Sequence, residues 1–287
     1  MSEIVAAVRE LTHIHLADTP LATPALHGAN LTLRRGQIGA LIGPGGAGKT
    51  TLVSFLNGLQ RPHSYGCVNV FGLDLADPAV RLEELRRRVG LVFQHPHHQL
   101  FERFVGDDIA YGPRQLGLDG EALRARVRQA MQAVGLDFEA FKDRQTFTLS
   151  GGEMRRAALA GVLAMQPELL ILDEATTGLD PEGRERVHAL LRRLRDERGL
   201  TVLIVSNDMS EVAELADWVT VLVRGRTVAE GPPRSVFYGN EPLEQHGLLR
   251  PPVVRAVQRL RADGLAVPGE PLTAEEAEEA IWRALKG

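Results

Sequence analysis

An α/β fold built around a mostly parallel sheet is the class the sequence predicts, and three observations carry it. Short apolar runs of four or five residues, bounded by turn residues, recur along the chain. Between them lie longer segments with Leu, Ala and Arg at three- and four-residue spacing. Strands buried on both faces read as such continuous runs, and their alternation with helices implies parallel strands joined by crossovers. Finally, 287 residues with 44% hydrophobic and 24% charged side chains suffice for one large domain, or for a domain of about 230 residues with an appendage. Disordered, collagen-like and coiled-coil classes are excluded by the same composition.

In chain order, residues 38–42 form the first apolar run, followed by a glycine-rich loop at 43–50 and a helix opening over 51–56. The patterns predict helices over 121–134, 152–165 and 183–198, and further strands over 169–172, 202–205 and 219–223. Composition changes after Gly231-Pro232-Pro233. This sets a boundary between a main domain, 1–231, and a helical extension, 232–287. In the extension, Pro251-Pro252 opens a helix carrying Val253, Val254, Val257 and Leu260. Thr273, with Glu276 three residues on, reads as a capping box leading into Ile281, Trp282 and Leu285. Two short helices bury little alone, so they are expected to pack on the main domain or on a partner.

No apolar stretch approaches the roughly 20 residues of a membrane-spanning helix, and the N-terminus lacks the basic-then-apolar pattern of a signal peptide. The single cysteine, Cys67, has no partner for a disulfide or a thiolate metal site, which fits a reducing cytoplasm. The net charge is −4 with no dense basic block, which argues against a nucleic-acid partner. Only three lysines, Lys49, Lys142 and Lys286, stand among thirty arginines, so the position of each lysine is informative.

Lys49 lies in Gly43-Pro44-Gly45-Gly46-Ala47-Gly48-Lys49-Thr50, a G-x-x-x-x-G-K-[ST] motif between an apolar strand and a helix that begins with Thr51. Roughly 0.002 such matches are expected from composition alone. Glycines let successive backbone N–H groups wrap a phosphate, and the helix N-terminus adds a favourable dipole. Lys49 is placed to reach the β- and γ-phosphates of a nucleotide, and Thr50 to offer its hydroxyl to Mg²⁺. The apolar run at 169–172 ends in Asp173-Glu174. A carboxylate at the end of a buried strand suits the metal, so Asp173 is read as holding Mg²⁺ and Glu174 as the general base on an attacking water. Upstream, Leu149-Ser150-Gly151-Gly152-Glu153 precedes a helix. Ser150 is a good N-cap, and the glycines allow close backbone approach to a second anion.

Taken together, the motifs resemble the ATP-binding cassette (ABC) ATPases, a branch of the P-loop NTPases. Their order is matched by 43–50 (Walker A), Gln94 (Q-loop), 149–153 (signature), 169–173 (Walker B), Glu174, and Thr177-Gly178-Leu179-Asp180 (D-loop). The resemblance covers roughly residues 4–231. It implies an antiparallel β subdomain and a helical subdomain around the parallel core. It further implies two cassettes joined head to tail, with Ser150, Gly151, Gly152 and Glu153 facing ATP on the partner and Asp180 in the D-loop. Gln94 would sense the Mg²⁺ held by Thr50 and Asp173 and couple the site to a membrane subunit.

Three further segments, residues 93–101, 108–114 and 160–165, resemble the ATPase subunits of energy-coupling factor (ECF) transporters, importers of vitamins and transition-metal ions. The extension is similar to the C-terminal helices that help hold their ATPase pair together. That resemblance implies a second ATPase, identical or different, a transmembrane coupling protein and a substrate-binding membrane protein. The chain is then peripheral, on the cytoplasmic face of the cell membrane. His97 and His98 are read as polar groups of a coupling loop rather than metal ligands.

Four positions depart from the pattern. Asn207, in Ser206-Asn207-Asp208, replaces the family's switch histidine. An amide still donates a hydrogen bond to a γ-phosphate but cannot become cationic, which predicts slowed hydrolysis unless neighbouring groups compensate. Under the first alternative Asn207→His raises turnover, and the chain forms a weak half-site or a regulatory subunit. Glu153 stands where glutamine is usual, Ala175 where proline often follows the glutamate, and His15 where an aromatic ring stacks on adenine. The chromosome-maintenance and ribosome-associated branches of the family need a long coiled coil or a second cassette, neither of which this sequence has.

Overall fold

The computed structural model describes residues 3–62 and 65–286. Two long strands, β1 (Ile4–His15) and β2 (Thr23–Arg34), come first, followed by β3 (Ile38–Ile42), α1 (Lys49–Leu56), β4 (Tyr65–Val70), β5 (Leu73–Asp74), α2 (Leu82–Arg88) and β6 (Val89–Val92). A helical block follows: α3 (Val105–Gln115), α4 (Gly120–Ala133), α5 (Phe138–Phe141) and α6 (Gly151–Ala164). The chain returns to the sheet with β7 (Leu169–Asp173), α7 (Pro181–Arg198), β8 (Thr201–Val205), α8 (Met209–Leu215), β9 (Trp218–Val223) and β10 (Arg226–Gly231). It ends in α9 (Pro233–Phe237), α10 (Pro252–Ala262) and α11 (Ala274–Lys286).

The central sheet has the order β10-β9-β3-β8-β7-β6, parallel except for the antiparallel edge strand β10. A second, antiparallel sheet runs β2-β1-β4-β5. The implied α/β class with antiparallel and helical parts is therefore observed. Side chains alternate across the parallel strands: Ile38, Ala40, Ile42, Leu170, Leu172, Val202 and Ile204 enter a core against the helices. Leu41, Leu169, Ile171, Leu203 and Val205 enter a second core against α1 and the antiparallel sheet. Both faces are covered, which is why these strands are apolar along nearly their whole length. Thr227 fastens the two sheets together: its hydroxyl accepts from the Asn30 N–H at 2.9 Å and donates to the Asn30 carbonyl at 2.7 Å.

Register sets the position of the functional loops. Leu41 of β3 pairs with Val205 of β8, and Val205 pairs with Asp173 of β7; Val92 of β6 lies beside Leu172. Residues 43–50, Ser206-Asn207, Asp173-Glu174 and Gln94 thus all leave the carboxyl edge of one sheet, where open α/β sheets bind ligands.

Beyond Gly231 the chain does not form an independent body. Val236, Phe237, Leu243, Leu248, Val254 and Leu272 join the large core, while Val257, Val267 and Ala280 make a small cluster of their own. Arg234 pairs with Glu276 at 2.7 Å across this junction. Thr273 caps α11 by accepting the Glu276 N–H at 3.3 Å. The Glu276 carboxylate reaches back to accept the N–H of Leu272 at 2.7 Å.

Candidate active site

The loop at 43–50 connects β3 to α1 through backbone that only glycine fits at two points. A Cβ on Gly43 would stand 2.1 Å from the Leu222 carbonyl oxygen, and Gly48, at φ +99°, would bring one within 2.6 Å of the Ala25 carbonyl oxygen. Gly45 and Gly46 face open space. Lys49 opens α1 and is 7% exposed. Its ammonium donates to the carbonyls of Gly43 at 2.6 Å and Pro44 at 3.2 Å. Burial lowers its pKa, opposed by the nearby charges of Glu174 and Asp173.

Asp173 ends β7 at 3% exposure. Burial raises its carboxyl pKa, while a hydrogen bond from Thr50 and the Lys49 charge pull it down. A desolvated carboxylate beside a hydroxyl from the helix start is a donor set suited to a hard divalent cation. Glu174 follows in left-handed backbone conformation, φ +49°, anchored by its N–H on the Val205 carbonyl at 2.9 Å. Side chains pay steric energy in that region, and the turn it makes aims the carboxylate between two neighbouring loops. There the Nε2 of Gln94 donates to Glu174 Oε2 at 2.7 Å, and the Nδ2 of Asn207 donates to Oε1 at 2.6 Å. The carboxylate is thus held through both oxygens by two neutral donors.

Ser150 caps α6 in a complete capping box: its hydroxyl accepts the Glu153 N–H, and the Glu153 carboxylate accepts the Ser150 N–H at 2.7 Å. Gly151 is exposed and Gly152 half-buried on the first turn. Glu153 also pairs with Arg144 at 2.9 Å, and the backbone N–H of Ser150, then Arg144, hold its carboxyl down to about 2. Asp180 caps α7 by accepting the Gly183 N–H at 2.7 Å. His15 lies at the end of β1, its Nε2 3.2 Å from the Thr51 hydroxyl, which puts the ring beside the nucleotide loop. His98 packs edge to face against His97, at 4.3 Å between centroids, and against His95. Behind the Asn207 loop lies a buried group that the sequence does not advertise. Glu211 accepts from the Ser206 hydroxyl at 2.5 Å and faces His188 Nε2 at 3.1 Å. A glutamate in the first turn of α8 reads as an exposed, dipole-favoured charge; its burial follows only from the packing of α8 on α7.

The family model for ABC transporters matches residues 26–177. The chain belongs to the ABC transporter family. The ABC relatives include the energy-coupling factor transporter ATP-binding protein EcfA2 of Clostridium perfringens (strain 13 / Type A), 44% identical over 97% of this chain and 98% of the relative. EcfA2 of Symbiobacterium thermophilum is 46% identical over 96% of this chain and 95% of the relative. Among solved structures, cbiO1 from Clostridium perfringens, part of the ABC transporter complex cbiONQ, aligns with TM-score 0.72 and 34% identity over 91% of this chain and 99% of that one. The dimeric ATP-binding cassette MJ0796, in a post-hydrolysis state bound to ADP and Pi, aligns with TM-score 0.72 and 26% identity over 80% of this chain and 99% of that one. This ABC chain is an ATP-binding ATPase. Among the described residues, no helix is long and apolar enough to cross a membrane.

Proposed function

We propose that this ATPase energises an importer of the energy-coupling factor type, taking up vitamins or transition-metal ions. The observation that carries the reading is the likeness to ECF ATP-binding subunits along nearly the whole chain, the C-terminal extension included. ATP sits on Gly43, Pro44, Gly45, Gly46, Ala47, Gly48, Lys49, Thr50 and Thr51, with His15 against the base. Thr50, Asp173 and Gln94 would hold Mg²⁺, which would neutralise phosphate charge there. Lys49 turns from the Gly43 carbonyl to the β- and γ-phosphates. Glu174 takes the proton of the water that attacks the γ-phosphorus in line, as the bond to the bridging oxygen breaks. Gln94 and Asn207 keep the carboxylate aimed at that water. Ser150, Gly151, Gly152, Glu153 and Asp180 act across the pair, on ATP held by a second cassette.

Residues 232–287 are the proposed pair contact, and Trp282 and Leu285, both more than half exposed, support that assignment. The coupling surface is the loop at 94–101 together with α3. Phe101, 64% exposed, packs edge-on against Tyr111 at 4.8 Å. The half-buried Asp108 carboxylate accepts the N–H groups of Phe101 and Glu102, both at 2.9 Å, so the two segments form one unit. Exposed aromatic pairs of this kind suit a protein partner, here the transmembrane coupling protein at the cytoplasmic face of the membrane. Tagging the chain in its native cell and purifying it in mild detergent tests the reading. The expected result is stoichiometric recovery of a cassette ATPase partner, a coupling membrane protein and a small substrate-binding membrane protein. Recovery of the chain alone, or with a dedicated permease pair, contradicts it.

A further inference from the structure

His188 stands on α7 with its side chain 2% exposed. One ring nitrogen, Nε2, faces the buried Glu211 carboxylate at 3.1 Å. The other, Nδ1, is buried and has no hydrogen-bond partner among the described residues. It is aimed at Glu214 Oε1 on α8, 3.9 Å away and too far for a hydrogen bond. Glu185, one turn earlier on α7, completes the group: one ligand atom from each of Glu185, His188 and Glu214 lies within 4.8 Å of the others.

A buried ring nitrogen left unpaired carries a desolvation penalty, and such a group in a native structure calls for an occupant. The opposite ring nitrogen is already held by a carboxylate, the arrangement that orients metal-bound histidines. Glu211 is itself fixed by Ser206 at 2.5 Å. The guanidinium of Arg192 currently supplies the positive charge, 2.5 Å from Glu214 and 3.6 Å from Glu185. The loop histidines 95, 97 and 98 bring no comparable set of ligand atoms together among the described residues.

We propose that Glu185, His188 and Glu214 form a binding site for a divalent first-row transition ion of the zinc or cobalt class, with Arg192 as the counter-charge the ion displaces. One imidazole nitrogen and two carboxylate oxygens select such an ion over Mg²⁺ or Ca²⁺, which take oxygen ligands throughout. The site stands apart from the nucleotide loops, and Glu211 and Ser206 connect it to the loop that carries Asn207.

The test titrates Zn²⁺ by calorimetry, and Co²⁺ by visible absorption, into the full chain without nucleotide. Excess Mg²⁺ is present, and His97→Gln and His98→Gln remove the loop imidazoles. One equivalent of each ion is expected to bind, with a Co²⁺ spectrum that shows nitrogen coordination. His188→Gln removes the binding, Glu214→Gln weakens it by about tenfold or more, and Arg192→Gln tightens it. Glu214 lies on the half-exposed face of α8, so its variant tests the site even if His188→Gln fails to fold. No binding, or Zn²⁺ affinity unchanged by Glu214→Gln, overturns the proposal and leaves His188 as a core histidine paired with Glu211.

Discussion

Glu174 is gripped by two carboxamides, and one of them, Asn207, occupies the position where the family pattern has histidine. The sequence left two alternatives for Asn207, slowed hydrolysis or compensation by neighbours. The hydrogen bond at 2.6 Å favours the second, because positioning a carboxylate needs a donor rather than a cation. A hydrogen bond to a charged group contributes about 1.5–3 kcal/mol, so Asn207→Ala should lower kcat by about tenfold or more while the Kd for ATP stays unchanged. Asn207→His should keep kcat near the original at about pH 8 and acquire an inflection near the usual histidine pKa of about 6.5, absent from the amide enzyme. A pH–rate profile of the three forms decides the point. A large gain in kcat on restoring histidine at every pH contradicts the compensated geometry and returns the weak half-site reading. The motif residues were legible one by one, but the clamp on Glu174 was not, because it joins residues 80 and 33 positions apart through the register of three strands.

At the level of elements, α6 shows how a departure from a motif is absorbed. Glu153 accepts the Ser150 N–H and pairs with Arg144, interactions that favour its charged form. Its carboxyl titrates at about 2 instead of the usual 4.5. The stabilisation is therefore fully present above about pH 4.5 and is lost as pH falls toward 2. Across that window the urea midpoint of the original chain should fall more steeply than that of Glu153→Gln, which keeps a capping group but has no proton to gain. Parallel slopes for the two proteins contradict the assignment. The buried strands β3, β7, β8 and β9 and the three long helices could be read from periodicity to within two residues; the four-residue β6 was too short to stand out from the helix before it. The antiparallel strands β1 and β2 could not be read that way: repeated register shifts between them break the alternation that marks a half-buried strand. The helix α3 was hidden for a similar reason, with Gly106, Gly112 and Pro113 inside it.

At the scale of the molecule, four loops far apart in sequence converge because β3, β8, β7 and β6 lie side by side with their carboxyl ends aligned. Strand order is what the sequence withholds. Apolar runs announce that strands exist, but the choice of β8 as neighbour to both β3 and β7 comes from helix packing on the two faces. The extension shows the same limit. The composition changes at residue 231, yet the large core continues to Leu272, because helices too short to bury their own faces borrow the main domain's core. In the proposed function the loops at this carboxyl edge form one hydrolytic site, with Glu174 as its base. ATP turnover by the detergent-solubilised native assembly, with this chain as found or carrying Glu174→Gln, tests it most directly. Loss of general-base catalysis should lower this chain's turnover by at least about a hundredfold with ATP affinity retained. Equal turnover in the two assemblies would contradict the role of Glu174 as base.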